Sequence, residues 1–99
     1  MTIRTRRSSG NVFRDLGFGS EEAANLQVRA TLMVELARLI KAKRLTQREA
    51  AKVFGVSQPR VSDLIGGKIG RFSIDALVEL LGRMGRRVEV TTKPQSRVA

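Results

Sequence analysis

The chain has 99 residues, and 19 Lys and Arg against nine Asp and Glu give it a net charge of +10. It contains no Cys and no His, which excludes disulfides, thiolate or imidazole metal sites and His-based catalysis. A chain of this length forms one domain, and its charge indicates an anionic partner: nucleic acid first, then an acidic protein, then an anionic membrane surface.

Residues 1–10 are polar and basic, with Ser8, Ser9 and Gly10 together. Such a segment buries too little apolar surface to become ordered, so we predict a flexible basic arm. Residues 11–19 hold apolar side chains among glycines, which predicts a short irregular segment packed on the core. No stretch suits a signal peptide or a membrane span, so we expect a cytoplasmic protein with no membrane contact.

Four helices are predicted between residues 20 and 84, and each begins at a residue that can cap it. Ser20 precedes two glutamates, which favour the positive end of a helix dipole. Thr46 and Glu49 have the spacing of a capping box. With Ser57 and Ser73 as the other caps, the predicted helices cover about 20–43, 46–54, 57–65 and 73–84.

The segment 87–92 alternates in polarity and is rich in β-branched residues, which predicts a strand. No second segment of the chain alternates in this way, so the strand lacks a partner within the chain. Val88 and Val90 would point inward, with Glu89 and Thr91 on the opposite face. We favour antiparallel pairing of these four residues with a second copy, and a strand added by another protein is the alternative. The whole is a mainly α domain over residues 11–94, followed by a tail at 95–99.

The most informative stretch is 46–68, where two short helices are joined by a three-residue turn at 55–57. Gly55 can supply the positive φ of this turn, and the small side chain of Ala51 lets the two helices cross closely. These features specify a helix-turn-helix, in which the second helix can enter a major groove. A purely structural helix pair is the alternative for the pattern alone.

The charge pattern favours DNA. The outward positions of the helix after the turn are Gln58, Pro59, Arg60, Ser62 and Asp63. Gln and Arg side chains pair bidentately with adenine and guanine edges. The flanking cations that can reach phosphates are Lys43, Arg44, Arg48, Lys68 and Arg71.

Residues 46–68 resemble the helix-turn-helix of the phage-repressor-like (XRE) regulators. The residues that carry this resemblance are Gln47, Ala51, Gly55, Val56, Ser57, Gln58, Val61, Ser62 and Leu64. Residues 11–94 as a whole resemble the HigA-type antitoxin subgroup, through NVFRDLGF, EEA, a long helix, the motif and RRVEVTTKP. The resemblance implies a lambda-repressor-like bundle of four or five helices with one C-terminal β-strand.

The resemblance also implies roles for individual residues. The base-reading set is Gln58, Pro59, Asp63 and Arg60, although Arg60 occupies a position that usually meets the backbone. The phosphate contacts are assigned to Gln47, Lys43, Arg44, Arg48, Ser62, Lys68 and Arg71. Pro59 can offer only apolar contact, for example to a thymine methyl. Asp63 can accept a hydrogen bond from cytosine, brace Arg60 or repel a poorly fitting site.

These observations predict a homodimeric repressor that binds double-stranded DNA. We expect it to have no catalytic site, metal or cofactor. The family resemblance implies that it represses its own promoter and that its partner is a RelE-like toxin. The alternative is a protein-interaction module that inhibits a partner without specific DNA binding. RNA binding is disfavoured because the chain has no Trp or Tyr and only four Phe.

Overall fold

The structure is a computed structural model that describes residues 11–94. The described part is helical: α1 Val12–Asp15, α2 Ser20–Ala42, α3 Gln47–Phe54, α4 Gln58–Ile65, a 3₁₀ turn at Ile69–Arg71, and α5 Ile74–Arg83. Helices α2 to α5 are the four predicted helices, so the mainly α fold is confirmed. The arm expected at 1–10 and the tail at 95–99 lie outside the described residues. Within 11–94, no helix is both long and apolar enough to cross a membrane.

Local capping chemistry fixes where three of the helices begin. The Thr46 hydroxyl accepts from the Glu49 amide at 3.0 Å, and the Glu49 carboxylate accepts from the Thr46 amide at 2.8 Å. Ser57 caps α4 and Ser73 caps α5 through their hydroxyls, as predicted. The prediction for α2 is wrong by one residue, because Gly19 is the N-cap and Ser20 lies inside the helix.

The segment before α2 differs from its prediction. It contains the short helix α1, and Asn11 caps it by accepting from the Phe13 amide at 2.9 Å. The side-chain Nδ2 of Asn11 also donates to the Ala23 carbonyl at 3.0 Å, which connects the start of α1 to α2. The expected packing by apolar side chains is wrong for Val12, Leu16 and Phe18, which are exposed. Hydrogen bonds of Asn11 therefore hold this segment on α2, where apolar packing was expected.

The core lies where α2 meets the other helices. Phe54 of α3, Val61 of α4 and Leu77 of α5 are almost fully buried against it, together with Phe72. The remaining buried members are Met33, Leu36, Leu39, Ile40, Ala50, Ala51, Leu64, Leu80, Leu81 and Met84. In this core α3 packs against α4 and α5, and α4 also packs against α2. The outer sides of α3 and α4 remain exposed.

The predicted C-terminal β-strand is not supported. Residues 86–94 form no strand, because a strand needs a ladder partner and the described chain offers none. Val88 packs at the edge of the core, as expected, but Val90 is 82% exposed rather than inward. Arg86 anchors this segment to α2 by its 3.5 Å contact with Glu35. The pKa of Glu35 is lowered, mainly by its hydrogen bond from Arg38.

Candidate nucleic-acid interface

The turn between α3 and α4 has the geometry that the sequence predicts. Gly55 has φ +70°, in the left-handed region, and its amide donates to the Ala51 carbonyl at 2.8 Å. The Val56 amide donates to the same carbonyl at 3.1 Å, and Ser57 then begins α4. Arg83 of α5 lies against this turn, since a Cβ on Gly55 would stand 2.9 Å from its Nη1. No local sequence pattern predicts that contact.

One flank of α4 forms an exposed polar surface with α3. Gln58, Pro59 and Ser62 of α4 line a shallow depression of about 370 Å³ together with Gln47 of α3. Both glutamines are the first residues of their helices, and the three α4 side chains are exposed. The structure therefore brings together four of the predicted DNA-contacting residues on one open surface.

The other flank of α4 faces the 3₁₀ turn. Arg60 donates from Nη1 to the Arg71 carbonyl at 2.7 Å, and its guanidinium carbon lies 4.1 Å from the centroid of the Phe72 ring. Asp63 accepts from Arg71 Nη1 at 3.1 Å. Two residues of the predicted base-reading set are thus bonded within the chain. Of the roles considered for Asp63, bracing is observed, but toward Arg71 rather than Arg60.

The predicted phosphate-binding cations lie in α3 or within a few residues of α3 or α4 in the chain. Lys43 and Arg44 lie between α2 and α3, Arg48 is in the first turn of α3, and Lys68 follows α4. All four are exposed. Lys52 is also exposed and lies four residues after Arg48, on the same side of α3. Lys52 is absent from the predicted phosphate contacts, although its four-residue spacing from Arg48 indicates a shared helix face.

A further arginine holds the 3₁₀ turn from the side of α2. Arg29 donates from Nη1 to the Ile69 carbonyl at 3.2 Å and to the Phe72 carbonyl at 3.4 Å. Its Nε donates to Asn25 at 2.7 Å. No local sequence pattern predicts the bonds to Ile69 and Phe72, because these residues lie about 40 positions away along the chain.

Arg44 has a backbone conformation that favours glycine. It has φ +55° and is the only non-glycine residue with positive φ among those described. It follows α2 in a Schellman arrangement, in which the Arg44 amide bonds the Lys41 carbonyl and the Leu45 amide bonds the Ile40 carbonyl, both at 3.0 Å. The left-handed conformation costs an L-residue about 1–2 kcal/mol.

Replacing Arg44 by glycine should therefore stabilise the fold. We expect Arg44→Gly to raise the free energy of unfolding by about 1 kcal/mol in urea denaturation. Arg44→Ala is the matched control, because it removes the same charge and side chain but keeps the strain. Equal stability of the two variants would contradict the assignment of strain to this residue.

Comparisons with known proteins agree with this geometry. A family model described as a helix-turn-helix domain matches residues 12–93. No curated protein matches the chain significantly. A solved structure named "Putative XRE Family Transcriptional Regulator" is 36% identical over 79% of this chain and 90% of that chain, with a TM-score of 0.70. The chain therefore belongs to the XRE family of helix-turn-helix transcriptional regulators.

Proposed function

We propose that this protein is a sequence-specific repressor that binds double-stranded DNA as a homodimer. The observation that carries the proposal is the open surface formed by Gln47, Gln58, Pro59 and Ser62, with exposed cations around it. The first turn of α4 is the part of a recognition helix that contacts base edges in a major groove. A solvated surface of no function would not need this arrangement of amide and cationic donors.

Each residue has a proposed role in that complex. Gln58 pairs with an adenine edge, and Pro59 contacts a thymine methyl. Gln47 and Ser62 bind phosphates beside them. Arg60 has Nη1 engaged by the Arg71 carbonyl, so a base or phosphate contact would use its other donors. The cations proposed to bind further phosphates are Lys43, Arg44, Arg48, Lys68 and Arg71.

Removal of the Gln58 amide should reduce specificity. We expect Gln58→Ala to weaken binding to the preferred duplex by roughly 1–3 kcal/mol, about 5- to 150-fold, and to leave binding to unrelated duplexes nearly unchanged. The preferred duplex is selected from random sequences, and affinity is measured by fluorescence anisotropy. Gln27→Ala, on α2 and outside the α3–α4 pair, is the matched control. Wild-type affinity in a Gln58→Ala, Arg60→Ala double variant would refute the assignment of α4 as the recognition helix.

The dimer is proposed to form through residues 88–91. One short recognition helix reads few base pairs, whereas a two-fold dimer places two of them about 34 Å apart on one face of DNA. Residues 87–94 make no ladder within the described chain, so their backbone groups are available to a second copy, whereas the Arg86 amide is already bonded to the Leu81 carbonyl. Val90 is 82% exposed and would become buried on pairing.

Two variants test this interface. Truncation after Gly85 keeps all five α-helices, and we expect it to give a monomer by light scattering with unchanged helical circular dichroism. Val90→Asp should also give a monomer with unchanged helical circular dichroism, because Val90 is 82% exposed and is not part of the buried core. A dimer in both variants would place the interface on the helices instead.

We also propose that the protein is a HigA-type antitoxin that represses its own operon and binds a RelE-like toxin. The resemblance over residues 11–94 supports this role. A groove of about 300 Å³ between α2, α5 and residues 88–91 also supports it, because partly exposed Val28 and Val78 line it away from α4. A protein bound there would leave α4 exposed, but it would also contact residues 88–91 and compete with their self-pairing. The same groove favours the alternative of an inhibitor without specific DNA binding, and the Gln58→Ala experiment separates the two.

A further inference from the structure

The contacts of Asp63 are those of a brace for the turn beside α4. Its carboxylate accepts from Arg71 Nη1 at 3.1 Å, and its main-chain carbonyl accepts from the Lys68 amide at 3.0 Å. Asp63 therefore bonds the main chain of Lys68, just before the 3₁₀ turn, and the side chain of Arg71, at the end of the turn. Its side chain is only 22% exposed, whereas that of Arg71 is 61% exposed. The carboxylate is thus directed toward the turn, and the arginine remains open to solvent.

The backbone of this turn is held on two other sides. Arg60 bonds the Arg71 carbonyl at 2.7 Å from α4, and Arg29 bonds the Ile69 and Phe72 carbonyls at 3.2 and 3.4 Å from α2. Phe72 is buried beneath the Arg60 guanidinium. With its backbone fixed, Arg71 retains freedom mainly in its long side chain, and Asp63 restricts that freedom.

A guanidinium has five N–H donors, of which the Asp63 contact uses one. The others can bind phosphate oxygens in the bidentate manner that arginine favours. We propose that Asp63 is a positioning residue, which holds the Arg71 guanidinium beside α4 for a DNA phosphate and does not read a base itself. This inference rests on the proposed function, because it needs α4 to lie against DNA.

A double-mutant cycle distinguishes positioning from the other roles of a carboxylate. We expect Asp63→Ala to weaken duplex binding about two- to fivefold when Arg71 is present, as for the loss of an exposed ion pair. In the Arg71→Ala background the same change should have no effect or should strengthen binding, since it only removes a negative charge. Asp63→Asn keeps an acceptor for the guanidinium, so its duplex affinity should lie between those of the wild type and Asp63→Ala. Glu79→Ala, which removes a negative charge from the exposed side of α5, is the control.

The other roles predict different results, and each would overturn the inference. A base-reading Asp63 changes sequence preference in both backgrounds. A carboxylate that only repels phosphate gives tighter binding in both backgrounds when it is removed.

A measurement without DNA keeps the inference separate from the proposed function. The ¹⁵N–¹H heteronuclear NOE of Arg71 Nε should be high in the wild type and should fall in Asp63→Ala, with Arg29 Nε as the internal reference. Equal values in the two proteins would overturn the positioning role whatever the protein binds. If the NOE falls as expected but the wild type binds no duplex, the proposed function fails and so does the phosphate part of this inference, while the Asp63–Arg71 brace stands.

Discussion

Raising the salt concentration from about 50 to 200 mM is expected to weaken duplex binding by roughly 10³–10⁵, if a dimer neutralises about six to ten phosphates. The cations that would contribute from each protomer are Lys43, Arg44, Arg48, Lys68 and Arg71. All five are exposed, although Arg71 is paired with Asp63. Each phosphate contact releases condensed counterions, so the logarithm of affinity falls linearly with the logarithm of salt concentration.

Fluorescence anisotropy across a salt series measures this slope. Arg48→Gln should make it shallower by about 0.9 for each protomer of a bound dimer, because one phosphate contact is lost per copy. Arg14→Gln is the control, since Arg14 is an exposed cation on α1, outside the α3–α4 pair and the proposed dimer segment. A flat response in the wild type would argue against DNA binding and for the protein-interaction alternative.

Phe72→Ala is expected to lower the free energy of unfolding by about 3–5 kcal/mol, as large-to-small changes of buried aromatic residues do. The ring is 1% exposed and packs in the core beneath the Arg60 guanidinium. A domain of this size has about 5–15 kcal/mol of stability in total, so the loss is a large part of it. Urea denaturation followed by circular dichroism gives the value.

Phe18→Ala is the matched control for this prediction. Phe18 is 42% exposed and makes an edge-to-face contact with Phe13 at 6.1 Å, so its loss should cost about 1 kcal/mol. Similar losses in the two variants would contradict the central place of Phe72 in the core. Phe72→Leu, which keeps an apolar side chain but no ring, should cost less and should release Arg60 without unfolding the domain.

The features that the sequence predicts well are those set by neighbouring residues. Thr46, Ser57 and Ser73 cap helices because a hydroxyl at that position reaches an amide within three residues. Gly55 adopts positive φ because the turn requires it and glycine has no Cβ. The depression shared by Gln47 and Gln58 follows from the same local geometry, since the two residues begin consecutive helices.

The features that the sequence does not predict depend on distant partners. Arg60 is an outward residue by helical periodicity, yet Phe72 and the Arg71 carbonyl attract it toward the 3₁₀ turn. The Arg60 side chain is long enough to reach several partners, and helical periodicity does not predict which of them it contacts. The prediction of a strand at 87–92 is wrong for a related reason. Alternation reports which residues suit a strand, but a ladder also needs a second strand, which the described chain lacks.

The segment 86–94, which forms no strand ladder, also contains residues that oppose uncontrolled aggregation. Its two valines, Val88 and Val90, lie between Arg86 and Arg87 on one side and the pair Lys93–Pro94 on the other. Edge segments in natural proteins carry such cations and prolines as gatekeepers, because they oppose the stacking of many like chains into a fibre. Repulsion among many copies grows with each chain added, whereas pairing of two copies brings together only one set of these charges from each. The flanking residues thus favour a closed assembly over an open-ended one.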